Sequence, residues 1–302
     1  MKVLLIDADG RRGIPNIALH KLAIYYQARG DEIIWNLPLA LNQADKVFIS
    51  TIFTKTRPKV ANLVGLRPDV VVGGTGTWGW FIDPPPMLEL PPEVEAVKAR
   101  INFGFTSRGC IRACPFCLVP QVEGRIRPVG DIYDIWDGQA KTLTLFDNNI
   151  LALPDHFEKI IRQVADARLV VDFNQGLDIR LVTSRVVELL KTVRLRDLRF
   201  AFDDAKLAAV VEEKVALVRA AGLKKNPFFY VLVGFDMTFE EDLARLELLR
   251  RLECRPYVMR YGDAAKKPEY ITLARWANLQ WAFARYKFPE FDSLFGPGKA
   301  RH

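Results

Sequence analysis

The chain has 302 residues, enough for one large α/β domain or for a domain of roughly 200 residues with a smaller companion. Half the residues are apolar and 26% are charged, the balance of a soluble globular protein, and no apolar run approaches the ~18 residues that a membrane-spanning helix needs. The net charge of +7 is spread out: residues 1–100 carry 12 basic and 10 acidic side chains, which leaves 31 and 26 for the rest, so a nucleic-acid partner is permitted without being indicated.

The opening MKVLLIDADG reaches Asp7 and Asp9 too soon for a signal peptide and has no small-residue cleavage site, so the expected location is the cytoplasm, without a membrane partner. KVLLID is a short buried-strand run that ends in a Gly/Pro/Asn loop, DADGRRGIPN. A helix follows from about Asn16 to Ala28, with Ile17, Leu19, Leu22, Ile24 and Tyr25 on its apolar face and Gly30 closing it. DEIIWN, DKVFIST and DVVVGGTG are three further strand-like runs. The series predicts a compact doubly wound domain over residues 1–95. It ends in IDPPPMLELPPEV, residues 82–94, where five prolines oppose regular structure and mark a linker.

A second βα series spans residues 96–265. Strands are predicted at INFGFTSRG, TLTLFDNN, LVVDFNQG, LRFAFDD, PFFYVLVGF and RPYVMRYGD, with amphipathic helices around 156–166, 182–192, 206–221 and 239–252. Right-handed crossovers would coil such a series into an open sheet or a partial barrel whose strand ends gather at one mouth. Residues 266–302 form a helical extension. Its stretch ARWANLQWAFARYKFPEF interleaves Trp276, Trp281, Phe283, Tyr286 and Phe288 with Arg275, Arg285 and Lys287, which suits either single-stranded RNA or, as the preferred reading, aromatics packed on the barrel.

The densest chemistry lies in SRGCIRACPFCLVPQVEGR, where three of the four cysteines fall within eight residues as Cys110-x3-Cys114-x2-Cys117. Four cysteines in a chain of this size do not make a disulfide framework, and reduced thiols are available to metal. Three thiolates from one loop can hold three corners of an iron–sulfur cube and leave the fourth iron open. A zinc site would need a fourth donor, with Cys254, His20 and His156 as the distant candidates. Cys254, at the end of an amphipathic helix, is most simply a small core residue.

The spacing of these cysteines, Phe116 before the last of them, and their place after the first strand of the series resemble the radical S-adenosylmethionine superfamily. PNIALHKL, GGTG and QGLDIR extend the likeness over nearly the whole chain. The resemblance implies a partial (β/α)6 barrel preceded by a small Rossmann-like domain. It also implies a [4Fe-4S] cluster on Cys110, Cys114 and Cys117, S-adenosylmethionine on the open iron, and an electron donor such as flavodoxin or ferredoxin. Cleavage of the nucleoside would yield a 5′-deoxyadenosyl radical that abstracts hydrogen from a substrate, with nucleic acid or peptide as candidates. A non-catalytic iron–sulfur module that binds RNA or senses redox state is the alternative.

Further cofactor-binding residues follow from the strand ends that the resemblance places at the mouth. These are Phe116 on the loop, Asp147, Asn148 and Asn149 after the second strand, and Gln175, Asp178 and Arg180 after the third. Asp203 after the fourth, Gly234 after the fifth and Arg260 at the sixth complete the set. Asp178 and Arg180 would meet a ligand or each other. Asp203 and Asp204 would bind ribose hydroxyls or cap the next helix, and Thr238 with Glu241 forms a capping box. Family members often carry cobalamin on an N-terminal domain, with a Ser loop after one strand and a Gly-Gly loop after the next. Ser50, Thr51, Gly73 and Gly74 match that layout, but the histidine-bearing loop is absent and His20 lies inside a helix, so a degenerate cover for the barrel is the preferred reading.

Overall fold

A computed structural model of the protein describes residues 1–10, 14–77, 79–80, 89–223 and 225–296. Part of the first predicted loop, the first half of the proline-rich stretch and residues 297–302 of the extension lie outside the described residues. The chain forms α/β architecture with parallel strands and divides into two compact units. The first is Met1–Gly104 with Tyr133–Gly138, and the second is Phe105–Ile132 with Gln139–His302. Sequence composition places the change near residue 95. The returning segment joins the first unit through paired amides and carboxylates: Asn102 Nδ2 donates to Asp137 Oδ2 at 2.7 Å, and the Asp137 N–H donates back to Asn102 Oδ1 at 3.0 Å.

In the first unit, β1 (Lys2–Asp7), β2 (Glu32–Trp35), β3 (Lys46–Ser50) and β4 (Val71–Gly73) form one parallel sheet in the order β2-β1-β3-β4. The order reverses between β1 and β3, the arrangement of a doubly wound sheet. Alternation along β1 splits its side chains between two cores. Val3 and Leu5 join Leu19, Leu22 and Tyr26 of α1 (Ile17–Gln27), while Leu4 and Ile6 join Val60 and Leu63 of α2 (Arg57–Leu66). Helix α1 starts where Asn16 accepts from the Leu19 N–H at 3.2 Å. Its buried stripe is Leu19, Leu22, Ala23 and Tyr26. That set has true three-and-four spacing, so Ile17, Ile24 and Tyr25 of the predicted face sit at its margins. The proline-rich stretch is not wholly irregular. Pro92–Glu95 makes one helical turn with proline in the first position, where its missing N–H costs nothing, and Val94 is buried against α1.

The second unit contains β5 (Thr142–Leu145), β6 (Val170–Phe173), β7 (Arg194–Leu195), β8 (Leu198–Ala201), β9 (Pro227–Val233) and β10 (Arg255–Arg260). Strand β6 runs parallel between β5 and β7, and β9 runs parallel between β8 and β10. A parallel bridge between Leu177 and Phe200, with the Leu177 N–H on the Arg199 carbonyl at 2.8 Å, links the two groups of strands. The intervening helices are α3 (Pro154–Asp166), α4 (Ser184–Lys191), α5 (Ala208–Ala220) and α6 (Phe239–Arg251), each within two residues of its predicted span at both ends. One face of these strands carries buried apolar residues, including Leu143, Val171, Phe200, Phe229 and Val231. The other face includes Thr144, Asp172, Arg199, Tyr230 and Tyr257.

One sequence expectation changes here, and the preferred reading of the extension is met. INFGFTSRG is not one strand. It holds two-residue strands at Phe103–Gly104 and Ser107–Arg108, the second antiparallel to Arg127–Pro128. Between them the Asp147 carboxylate, rather than a neighbouring strand, takes the N–H groups of Thr106 and Ser107. In the extension, helices α7 (Pro268–Asn278), α8 (Gln280–Arg285) and α9 (Phe288–Phe295) bury Trp276, Phe283, Phe288 and Phe291. The Trp276 ring lies 4.8 Å from Phe283 and 5.5 Å from Phe288, and its Nε1 donates to the Tyr286 carbonyl at 3.0 Å. These rings are core, not stacking platforms; Trp281 alone of the extension's tryptophans is exposed. Among the described residues, no helix is long and apolar enough to cross a membrane.

Candidate functional site

The three cysteines lie on a loop that is pinched at its neck. Gly109 has φ +85°, and a Cβ there would stand 2.4 Å from the Arg125 carbonyl oxygen, so only glycine lets the two sides of the loop close. Glu123 fastens the neck: its Oε2 accepts from the Gly109 N–H and from Asn148 Nδ2, each at 2.8 Å, and faces Arg108 Nε at 3.3 Å. The Arg108 guanidinium covers the Phe105 ring at 4.1 Å. Within the loop, the Cys117 N–H donates to the Cys114 carbonyl at 2.9 Å, which turns the two cysteines back on each other.

All three thiols are free and partly buried. Burial pushes the Cys114 thiol up, and the neighbouring Cys117 adds to this, while Arg180 opposes it. The Cys117 thiol is likewise raised by burial, with the Val119 backbone N–H acting the other way. The Cys110 sulfur accepts from the Arg112 N–H at 3.3 Å and from Asn149 Nδ2 at 3.5 Å.

Asn149 is 2% exposed. The same Nδ2 donates to Asp178 Oδ2 at 3.2 Å, and its buried Oδ1 has no hydrogen-bond partner among the described residues. Asp178 is the hub of this corner. Arg180 Nε and Nη2 reach it at 2.6 and 3.0 Å, and Arg112 Nε at 3.0 Å. Burial works against its ionisation, but the two guanidinium groups outweigh burial and hold its carboxyl below the usual range. Asp178 and Arg180 therefore form the internal pair, with Arg112 as a third member.

The other predicted residues divide into three kinds. Phe116 meets Phe235, the neighbour of Gly234, at 5.4 Å between ring centroids, and Phe235 meets Tyr261, the neighbour of Arg260, at 4.9 Å. An aromatic row thus runs from the cysteine loop to the ends of β9 and β10. Asp203 also faces this region. Its Oδ1 accepts from the Leu232 N–H at 2.7 Å, burial raises its carboxyl, and its charge is felt at Cys114 and Cys117.

Asp147 turns inward instead. Its Oδ1 accepts from Thr106 Oγ1 at 2.7 Å, from the Ser107 N–H at 2.5 Å and from Ser107 Oγ at 2.6 Å, and its Oδ2 accepts from the Thr106 N–H at 3.2 Å. Such a carboxylate positions the strand leading into the cysteine loop. Gln175 and Arg260 are exposed, with Arg260 donating to the Ala265 carbonyl. Asp204 caps the turn that follows it by accepting from the Lys206 N–H at 2.9 Å. Gly234, at φ +76°, donates its N–H to Asp242 Oδ2 at 2.7 Å.

Glu123, Phe235, Tyr261 and the Thr106–Ser107 pair did not stand out in the sequence. The one usable signal was Glu123, a lone acid among Arg108, Arg112, Arg125 and Arg127.

Among the described residues, no three His, Cys, Asp or Glu side chains are drawn together to hold one metal ion. Thiolates that serve separate irons of a cube need not share an ion, and three partly buried thiols from one loop, with N–H donors to sulfur, are a suitable set. Of the distant zinc candidates, Cys254 is buried, pushed up to about 12 by that burial, and donates to the Leu252 carbonyl at 3.3 Å. In the first unit, Ser50 Oγ accepts from Asn16 Nδ2 at 2.7 Å, and a Cβ on Gly74 would stand 2.3 Å from the Thr51 carbonyl oxygen. The conformation of Gly74 is thus accounted for by the chain's own packing. His20 stacks obliquely on Trp35 at 4.9 Å. In comparison with known proteins, the chain matches no family model and no curated protein.

Proposed function

We propose that the protein is a radical S-adenosylmethionine enzyme. Cys110, Cys114 and Cys117 would hold a [4Fe-4S] cluster, S-adenosylmethionine would bind at its open iron, and the second unit would form the partial (β/α)6 barrel around them. One observation carries this reading: three free thiols on a glycine-pinched loop are tied, through Asn149 and Asp178, to the ends of parallel strands. When bound and reduced, the cluster supplies the electron that splits S-adenosylmethionine into methionine and a 5′-deoxyadenosyl radical, which removes hydrogen from the substrate.

The chain's own residues have separable tasks. Glu123 and Gly109 hold the loop neck closed. Arg112 and Arg180 neutralise Asp178, so that the corner beside Cys110 carries no uncompensated buried carboxylate. Phe116, Phe235 and Tyr261 supply apolar surface for a nucleoside and exclude water from it. Asp203 offers a carboxylate to ribose hydroxyls, and the left-handed turn at Gly234 lets backbone approach a base. A flavodoxin or ferredoxin would deliver the electron. The substrate is read as a nucleic acid or a peptide, with the basic balance of the chain favouring the former.

The test is anaerobic reconstitution with iron and sulfide, reduction, and addition of S-adenosylmethionine. 5′-Deoxyadenosine is expected from the parent protein and not from Cys114→Ala. Equal yields from the two, or a centre with zinc and four protein donors, would remove the reading.

A further inference from the structure

Among the described residues, three donors reach the sulfurs of the cysteine loop, and they differ in kind. Arg112 to Cys110 and Val119 to Cys117 are backbone N–H groups, which almost any residue would provide. Asn149 to Cys110 is a side chain, brought from 39 positions away, and thus a choice made by this sequence.

Its orientation is fixed independently. Asn149 Nδ2 carries two hydrogens, one toward Cys110 Sγ and one toward Asp178 Oδ2. Turning the amide over would set Oδ1 against the carboxylate, which is the wrong partner. The cost of the observed orientation is visible: Oδ1 is buried without a hydrogen-bond partner among the described residues. A buried orphan acceptor persists where the donor side of the amide is constrained by something else. Here the constraint is a carboxylate already held by Arg112 and Arg180.

We infer that Asn149 is a positioning residue that sets the reduction potential of the cluster through its hydrogen bond to Cys110, with Asp178 and its two arginines fixing the amide. The inference rests on the radical S-adenosylmethionine reading. Uptake of one electron from a low-potential donor makes and breaks no bond, but it adds one negative charge to the iron–sulfur group that shares the Cys110 sulfur. An N–H aimed at that sulfur stabilises the more negative state, and its burial at 2% exposure strengthens the effect. Removing the donor therefore makes the potential more negative.

The experiment is a potentiometric titration of the reconstituted full-length protein, followed by the paramagnetic resonance of the reduced cluster. Asn149→Leu keeps the side-chain size and removes the donor. It is expected to bind iron and sulfide as the parent does, while its reduced-to-oxidised ratio at the parent's midpoint falls about tenfold, equivalent to about 59 mV for a one-electron couple. Full iron content with an unmoved midpoint overturns the inference and leaves the enzyme reading standing. A parent protein that binds no iron–sulfur cluster overturns both. Should the variant fail to fold, the parent decides: with asparagine side-chain amides labelled with nitrogen-15, pulsed resonance of the reduced cluster is expected to show a weak coupling to that nucleus. Absence of the coupling overturns the inference.

Discussion

Arg112 of the cysteine loop and Asp178 of the segment after β6 meet at 3.0 Å between Nε and Oδ2, across 66 positions of sequence. Arg180 approaches the same carboxylate from the other side, so the loop is anchored to the strand end by one acid and two bases. Burial alone would raise Asp178, but the guanidinium groups hold it below its ordinary value. A carboxyl whose folded value lies below its unfolded value of about 3.9 adds stability above that value and loses it as the pH falls through the folded one. Asp178→Asn is therefore expected to cost about 1–3 kcal/mol at neutral pH. It should also flatten the acid side of the stability curve below about pH 4. Urea midpoints measured across that range check it, and an unchanged slope in the variant would remove Asp178 from the account of acid stability.

Gly234 and Ala264 make a second, purely steric relationship. A Cβ on Gly234 would lie 2.1 Å from the Ala264 Cβ, and the backbone there is already left-handed at φ +76°. Gly234→Ala should lose about 3 kcal/mol, from the conformational penalty and the overlap together. Adding Ala264→Gly relieves the overlap and leaves the penalty, so the double variant should recover part of the loss. Thermal unfolding of the four proteins in the cycle tests this; a single variant as stable as the parent would show the turn to be more yielding than its geometry suggests.

The legible part of this fold was its periodicity. Short apolar runs located β1 to β6 and β8 to β10, and amphipathic spacing with caps located the helices of the second unit, including the Thr238 and Glu241 box. The cysteine loop was legible because spacing alone sets its donors close together. The failures have a common cause, which is partners remote in sequence. INFGFTSRG reads as a strand until Asp147, some forty positions on, takes the N–H groups of Thr106 and Ser107. The Asp147 carboxylate reads as a ligand at a strand end for the same reason. Asp178 and Arg180 were visible as a pair, but Arg112 could be assigned to them only once the loop was placed. Phe235 and Tyr261 were hidden inside apolar strand ends, where nothing separates a ring that packs in the core from one that faces Phe116.

Asp242 and Arg245 form a third relationship, one turn apart on α6 and both almost fully buried. Arg245 also donates to the Phe202 carbonyl and, at 2.7 Å, to the Leu232 carbonyl, while Asp242 accepts from Gly234 at 2.7 Å. The pair therefore ties the ends of β8 and β9 to the helix behind them. Arg245→Met strands the carboxylate and should cost about 3–5 kcal/mol. Adding Asp242→Leu removes the stranded charge and leaves the carbonyls short of donors, so the double variant should be less damaged than the single one. Chemical denaturation decides the point; a double variant worse than Arg245→Met alone would mean that the Asp242 bond to the Gly234 N–H outweighs the cost of the stranded charge.

His156 on α3 gives the last prediction. The residue is 9% exposed, and its Nε2 is buried without a hydrogen-bond partner among the described residues. Burial lowers its pKa from the ordinary value, with the nearby Asp147 charge opposing the shift. The unfolded chain, in which the ring titrates near 6.5, thus binds more protons than the folded one as the pH falls. The stability due to the neutral ring is complete above about pH 6.5 and drains away below it, down through the folded value. His156→Leu should abolish that part of the decline while leaving the deeper acid loss from Asp178 in place. Nuclear magnetic resonance of the ring reports the same quantity directly. A titration at the ordinary histidine value would remove the effect, and one above it would reverse the sign, so that acidification would stabilise the fold through this residue.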